Sequence, residues 1–190
     1  MLPLRRLEIR RHAAKDATPG VDRLSPEGIR QAHDLGRSLR VGYTHLYSSG
    51  AQRATQTLAC MIAGMGRHVL NGVVVRPELV SQREAEWRGA VESAGTSEVE
   101  ALRSVAGSLV EEEAARLGAE LREILSELPE GGYGLAIGHS PLIECAIYRL
   151  TAKPPVPLAA CDGFLITELK GGRLDVERLR GNPPILREPR

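Results

Sequence analysis

Two arginines and two histidines, far apart along a chain of 190 residues, have the types and settings that phosphoryl transfer requires. Arg11 and His12 are adjacent, Arg53 follows the run Ser48-Ser49-Gly50, and His139 precedes Ser140. A phosphoryl group in transfer presents three oxygens that need fixed positive donors, and a phosphorus that needs a nucleophile in line with the leaving group. Each guanidinium offers a planar fork of donors that matches phosphate oxygens. His12 offers a neutral ring nitrogen near physiological pH, able to attack phosphorus and form a phosphoramidate. His139, protonated beside a dianion that raises its pKa, adds another donor. Taken singly, His12 is a polar loop residue, Arg11 and Arg53 are surface arginines, and His139 caps the next helix. The joint pattern carries the chemistry.

These residues need elements to bring them together. The stretch 4–10 alternates apolar and polar residues imperfectly and reads as a strand running straight into Arg11-His12. A polar loop with Thr18, Pro19 and Gly20 follows. Ser25-Pro26-Glu27 gives an N-cap hydroxyl, a proline in the first turn and an acid near the positive helix end. Ile29, Ala32, Leu35 or Gly36, and Leu39 form the expected buried stripe of that helix. The stretch 44–48 reads as a second strand, followed by a helix with Ala54, Leu58 and Ile62 on one face and Arg53 in its first turn, where free amides favour an anion. The stretch 69–75 reads as a third strand, 76–95 as irregular, and 96–128 as one or two helices broken near Gly107 or Gly118. A compact strand over 133–137 ends at Gly138-His139-Ser140, and 141–150 is helical. The stretches 164–169 and 173–179 flank Gly171-Gly172 as a hairpin.

Alternating strands and helices predict a three-layer α/β fold, a mixed and mainly parallel sheet with helices on both faces. In such sheets ligands gather at the carboxyl ends of strands. Arg11-His12, the turn 48–53 and His139-Ser140 each follow a predicted strand, so all three clusters converge on one rim. The expected organisation is a single domain over 1–190, with a helical lid over about 90–128 and a tail over about 181–190.

The motifs together resemble the histidine phosphatase superfamily, which includes the cofactor-dependent phosphoglycerate mutases. Leu7-Glu8-Ile9-Arg10-Arg11-His12-Ala13 is similar to the family's strand and Arg-His-Gly signature, with the alanine found among its small phosphatases. Leu24-Ser25-Pro26-Glu27-Gly28 followed by Gln31-Ala32 resembles the family's next helix, and Leu46-Tyr47-Ser48-Ser49 followed by Arg53-Ala54-Thr55-Gln56-Thr57 its second motif. Ala136-Ile137-Gly138-His139-Ser140 resembles the strand and second histidine. The resemblance spans 4 to about 150. It implies a phosphoglycerate mutase-like fold, a phosphate pocket of Arg11, His12, Arg53 and His139, and phosphorylation of His12. The family's acid, proton donor to the leaving group, falls at Ser81 in this chain, between Leu79 and Trp87-Arg88-Gly89. Glu84 and Glu86 are the nearby candidates, with a solvated loop acid as the alternative for each. Thr18, at a place where the family often has an asparagine, Lys15 and Ser140 are candidate substrate contacts. The helical stretch 96–128, with Arg103, Arg116 and Arg122, is expected to roof the pocket, its arginines paired with nearby glutamates.

Composition narrows the rest. The hydrophobic share of 42% and charged share of 26% are ordinary for a globular protein, and a net charge of +1 gives no drive toward nucleic acid or membrane. Lys15, Lys153 and Lys170 are the lysines among 25 basic residues, so arginine richness alone cannot mark a functional arginine. Cys60, Cys145 and Cys161 form no metal or disulfide pattern. No apolar h-region opens the chain and no apolar run of about 20 residues occurs. The expectation is a cytoplasmic monomer or homodimer with a small phosphorylated substrate, without nucleic acid, membrane, metal or cofactor. Gly138-His139-Ser140 begins like a serine hydrolase elbow, but no histidine follows His139. The expected activity is phosphomonoester hydrolysis of the histidine acid phosphatase type. The alternatives are a phosphoglycerate mutase-type phosphotransferase and a catalytically impaired phosphate-binding module.

Overall fold

A strand covered on both faces has no solvent side on which to place a polar residue, and β1 (Arg5–Arg11) shows the consequence. Leu7 and Ile9 enter one core, while Glu8 and Arg10, equally buried, point to the other face and pair there. Glu8 also accepts from the Tyr43 and Tyr133 hydroxyls, at 2.8 and 3.0 Å, so its carboxylate is fully engaged. The computed structural model describes residues 4–66 and 72–181.

β1 lies in a six-stranded sheet whose order is β3-β2-β4-β1-β5-β6. Here β2 is His45–Ser48, β3 Val73–Val75, β4 Tyr133–Gly138, β5 Gly163–Glu168 and β6 Leu174–Leu179. β3, β2, β4 and β1 run parallel, and the hairpin β5–β6 adds antiparallel strands beside β1. Helices α1 (Pro26–Ser38) and α2 (Gln52–Met65) cover one face, over Leu46, Leu135 and Ile137. α3 (Glu84–Ala94), α4 (Val99–Glu127) and α5 (Leu142–Thr151) cover the other, over Leu7, Ile9, Tyr47 and Ala136. The expected three-layer α/β architecture is what forms. No helix among the described residues is long and apolar enough to cross a membrane.

The structure departs from the sequence reading in places that bear on the site. The stretch 76–95 is not irregular: a short 3-10 turn (Pro77–Leu79) leads into α3, which buries Trp87 and Ala90. Ile29 is exposed, and α1 instead buries Gly28, Ala32, Leu35 and Gly36. These two glycines let α1 approach backbone directly, since a Cβ at Gly28 would sit 2.0 Å from the Ala14 carbonyl oxygen and one at Gly36 2.1 Å from that of Met61. The stretch Val99–Glu127 is two helices joined at a kink at Ala106, so the break falls beside Gly107 as one expectation had it and not at Gly118. Residues 69–71 of the expected third strand, His68, and the tail from 182 lie outside the described residues.

Candidate active site

The carboxyl ends of β1, β2 and β4 lie side by side, and the chain leaving each one carries a site residue. Parallel pairing sets Arg11 opposite Gly138 and Ser48 opposite Ile137. His12, Ser49 and His139 therefore follow three adjacent strands at one level, and the His12 N–H donates to the Gly138 carbonyl at 3.1 Å. A cavity of about 530 Å³ opens at this rim, within the range of small-molecule sites. Arg11, His12, Lys15, Arg53, Glu84, His139 and Ser140 all line it.

The loop after His12 is tied down by the motif residues. The Ala13 N–H donates to Thr57 Oγ1 at 3.0 Å and the Ala14 N–H to Gln31 Oε1 at 3.2 Å. The Ala14 carbonyl accepts from the Ser25 N–H, and Ser25 also caps α1 by accepting from the Gly28 N–H at 3.0 Å. From the second motif, Ser48 bonds Thr55 and Gln56 accepts from the Leu24 N–H. Thr57, Gln31, Ser25, Ser48 and Gln56 of these motifs thus tie down the loop after His12 or the helix that carries Arg53.

Hydrogen bonding fixes the states of both imidazoles. His12 Nδ1 lies 2.7 Å from the Ala13 carbonyl oxygen, which can only accept. Nδ1 therefore carries the proton and Nε2 keeps its lone pair, the state a nucleophile needs. His139 Nδ1 lies 3.1 Å from Arg53 Nη2, which can only donate, so its proton sits on Nε2, 2.8 Å from Ser49 Oγ. The ring centroids are 5.2 Å apart. Burial, then the Arg53, Arg11 and Lys15 charges, lower the His12 pKa to about 4 against the opposing Ala13 hydrogen bond. Burial, then Arg53, His12 and Arg11, lower that of His139 to about 2. Burial and the neighbouring cations thus favour neutral His139, and the cationic form expected beside a phosphate dianion depends on that anion.

Arg11 spends Nη1 on the Leu158 carbonyl and leaves its buried Nε without a partner among the described residues. Arg53 is more heavily engaged, with Nη1 on Asp22 and Nη2 on Glu84 at 2.8 Å.

The other candidates divide. Glu84 lines the cavity and Glu86 does not, because Glu86 points away to pair with Arg83. Ser81 lines the cavity at the place the family gives its acid. Lys15 is exposed at the cavity and has no carboxylate partner among the described residues. Ser140 donates to the buried Glu144 at 2.6 Å. Thr18 is exposed and outside the lining, because its loop is closed by the Asp16 carboxylate on the Thr18 N–H and by the Val21 N–H on the Thr18 carbonyl. The roof is α3 with Val80 and Ser81, which contribute Trp87, Arg88, Val91 and Glu92. It is not the stretch 96–128. α4 packs behind α3, and its Arg103 and Arg116 pair with Glu111 and Glu113. Sequence reasoning missed Ser49 and Asp22. Ser49 stood in a quoted motif, whereas Asp22 gave no local signal.

The sequence pattern of the histidine phosphatase superfamily (branch 1) matches residues 11–163. No curated protein sequence matches the chain. Among solved structures, phosphoglycerate mutase from Bacillus anthracis is similar at a TM-score of 0.71 and 19% identity, covering 95% of this chain and 94% of that one. A mycobacterial glucosyl-3-phosphoglycerate phosphatase gives 0.63 and 18%, covering 94% and 99%. Phosphoserine phosphatase from Entamoeba histolytica, solved with phosphoserine, gives 0.62 and 14%, covering 94% and 98%. At these identities the structures establish a shared phosphoglycerate mutase-like fold. The matched pattern, spanning every strand-end motif, establishes the family: the chain belongs to the histidine phosphatase superfamily.

Proposed function

We propose that this protein is a phosphomonoester hydrolase that works through phospho-His12. Family membership and neighbours named as phosphatases or mutases support phosphoryl-transfer chemistry in general. The observation that carries the finer reading is His12 Nε2, unprotonated and free, in one cavity with Arg11, Arg53 and His139.

In the first step Nε2 attacks phosphorus and the bond from phosphorus to the ester oxygen breaks. Arg11, Arg53 and the His139 imidazole hold the equatorial oxygens, and the dianion draws the His139 pKa upward again. Glu84, protonated by the monoanion of the entering ester, gives that proton to the departing alkoxide. In the second step water attacks phospho-His12 and yields its proton to the Glu84 carboxylate. The nitrogen–phosphorus bond breaks, inorganic phosphate leaves with the proton held by Glu84, and neutral His12 and the Glu84 carboxylate are restored. The reading invokes no metal or organic cofactor. Lys15 and Ser140 contact the substrate in this scheme. Thr18 and Glu86 take no part, being outside the cavity.

Ser81 at the family's acid position favours one second reading, a module that binds phosphate without turnover. Assay of p-nitrophenyl phosphate and an alkyl phosphate with the wild type, His12→Ala and Glu84→Gln separates the two. The enzyme reading expects turnover of both esters by the wild type and of neither by His12→Ala. Glu84→Gln should lose about 10²–10⁴-fold in kcat/KM on the alkyl ester, the usual contribution of a general acid, and much less in kcat/KM on p-nitrophenyl phosphate. A wild type inert toward p-nitrophenyl phosphate, whose leaving group needs little protonation, would establish the module.

A further inference from the structure

Two carboxylates, Asp22 and Glu84, pair with Arg53, and they hold it differently. Asp22 uses both oxygens: Oδ1 accepts from Arg53 Nη1, and Oδ2 from the Gln52 N–H at 2.9 Å. It therefore grips the side chain and the first turn of the helix that carries it. Burial opposes its charge, but the Arg53 and Gln52 contacts outweigh that, so the carboxyl sits below its ordinary range. Asp22 is outside the cavity lining, in the loop between β1 and α1.

Glu84 makes a single contact, at 2.8 Å, with the Arg53 Nη2 that also donates to His139. Its side chain is 58% exposed, it stands at the first position of α3, and it lines the cavity. An exposed, singly bonded carboxylate is weakly held. A phosphate dianion approaching Arg53 and His139 meets Glu84 where its own oxygen must go.

We propose that Asp22 is a fixed positioning residue for Arg53, and that Glu84 is an exchangeable counter-ion that leaves Arg53 when phosphate enters. The proposal rests on the reading of the cavity as a phosphate site. Exchange gives Glu84 two stations: on Arg53 when the cavity is empty, and toward the leaving-group oxygen when it is full. Simple electrostatics predicts that removing either carboxylate strengthens anion binding. Positioning predicts opposite signs, because without Asp22 the guanidinium and the start of α2 lose their anchor.

The test is calorimetric titration of the full chain with inorganic phosphate, using the wild type, Glu84→Gln, Asp22→Ala and Asp22→Asn. Michaelis parameters for p-nitrophenyl phosphate are measured alongside. Glu84→Gln should bind inorganic phosphate several-fold more tightly, and this affinity is the deciding readout, because kcat also falls with the loss of the proton acceptor for the second step. Asp22→Ala should bind at least tenfold more weakly and raise KM, and Asp22→Asn, which keeps an acceptor oxygen, should recover part of the loss. If Asp22→Ala fails to fold, the Asn variant still decides, through a several-fold weakening. Tighter binding in both Glu84 and Asp22 variants, or no change in either, overturns the proposal while leaving the phosphate site standing. A wild type that binds no phosphate overturns the site reading and this inference together.

Discussion

The His12 ring is tuned by what surrounds it more than by its own chemistry. An ordinary imidazole, with pKa about 6.5, is almost wholly protonated at pH 5 and useless as a nucleophile. Burial and the neighbouring cations hold His12 unprotonated down to about pH 4. Because kcat/KM reports the free enzyme, its acid limb, corrected for substrate ionisation, should break near pH 4. A break near 6.5 in a pH series would show that the ring is not held as described. Lys15→Ala should weaken substrate capture and leave kcat unchanged, seen as a KM several-fold higher at low salt that converges with the wild type at high salt. Arg11, His12, Arg53 and His139 were legible in the sequence because each stands just beyond a recognisable strand or in the first turn after one. Asp22, Ser49 and the neutral state of His139 were not, because each depends on which partner lies across a gap of 30 or more residues. Thr18 was misplaced because a loop's local bonds, not its position in a motif, decide which way it faces.

At the level of elements, the site depends on how closely α1 approaches the nucleophile loop. Gly28→Ala would drive a methyl group into the Ala14 carbonyl, two residues past His12. Such overpacking costs about 1–3 kcal/mol, so denaturation should show that loss, together with at least a tenfold fall in kcat/KM. Gly89→Ala on α3 meets nothing within 4 Å and should be neutral or stabilise the helix by about 0.5–1 kcal/mol. Equal effects of the two substitutions would refute the close approach. Strands and capped helices were readable because their patterns are local: Ser25-Pro26 starts α1 as expected. α3 was missed because Pro77 and two glycines, Gly89 and Gly95, mask a stripe made only of Trp87, Ala90 and the half-buried Val91 and Ala94. The roof was assigned to the wrong helix for a related reason. The strongest helical pattern lay in α4, whose apolar face is spent on α3 and α5, away from the cavity.

For the molecule as a whole, two buried neutral imidazoles link stability to pH. Both have folded pKa values below the unfolded 6.5, so between those values the unfolded chain binds more protons. Their contribution is intact above about pH 6.5 and is lost as pH falls toward 4 and then 2. Tm should therefore decline on acidification through this window, and His139→Asn should decline less. Phosphate should oppose the decline, since an anion in the cavity favours the protonated rings. At pH 7, phosphate at about 100 times its Kd should stabilise by about 2.7 kcal/mol, raising Tm by about 5–10 °C. Arg11→Ala should abolish that rise in a thermal melt. The fold class was legible at this scale because alternating strands and helices admit few architectures. The division of labour within the cavity was not, because it arises only when three strand ends and one helix meet. Those strand ends carry Arg11, His12 and His139, while residues 80–92 supply one contiguous part of the cavity wall, beside Pro141, Leu142 and Ala160. Apart from Glu84, that stretch makes no bond to the four central side chains. With Glu84 kept, it can therefore be exchanged as one cassette, retargeting the cavity toward a different ligand while the four central side chains stay in place.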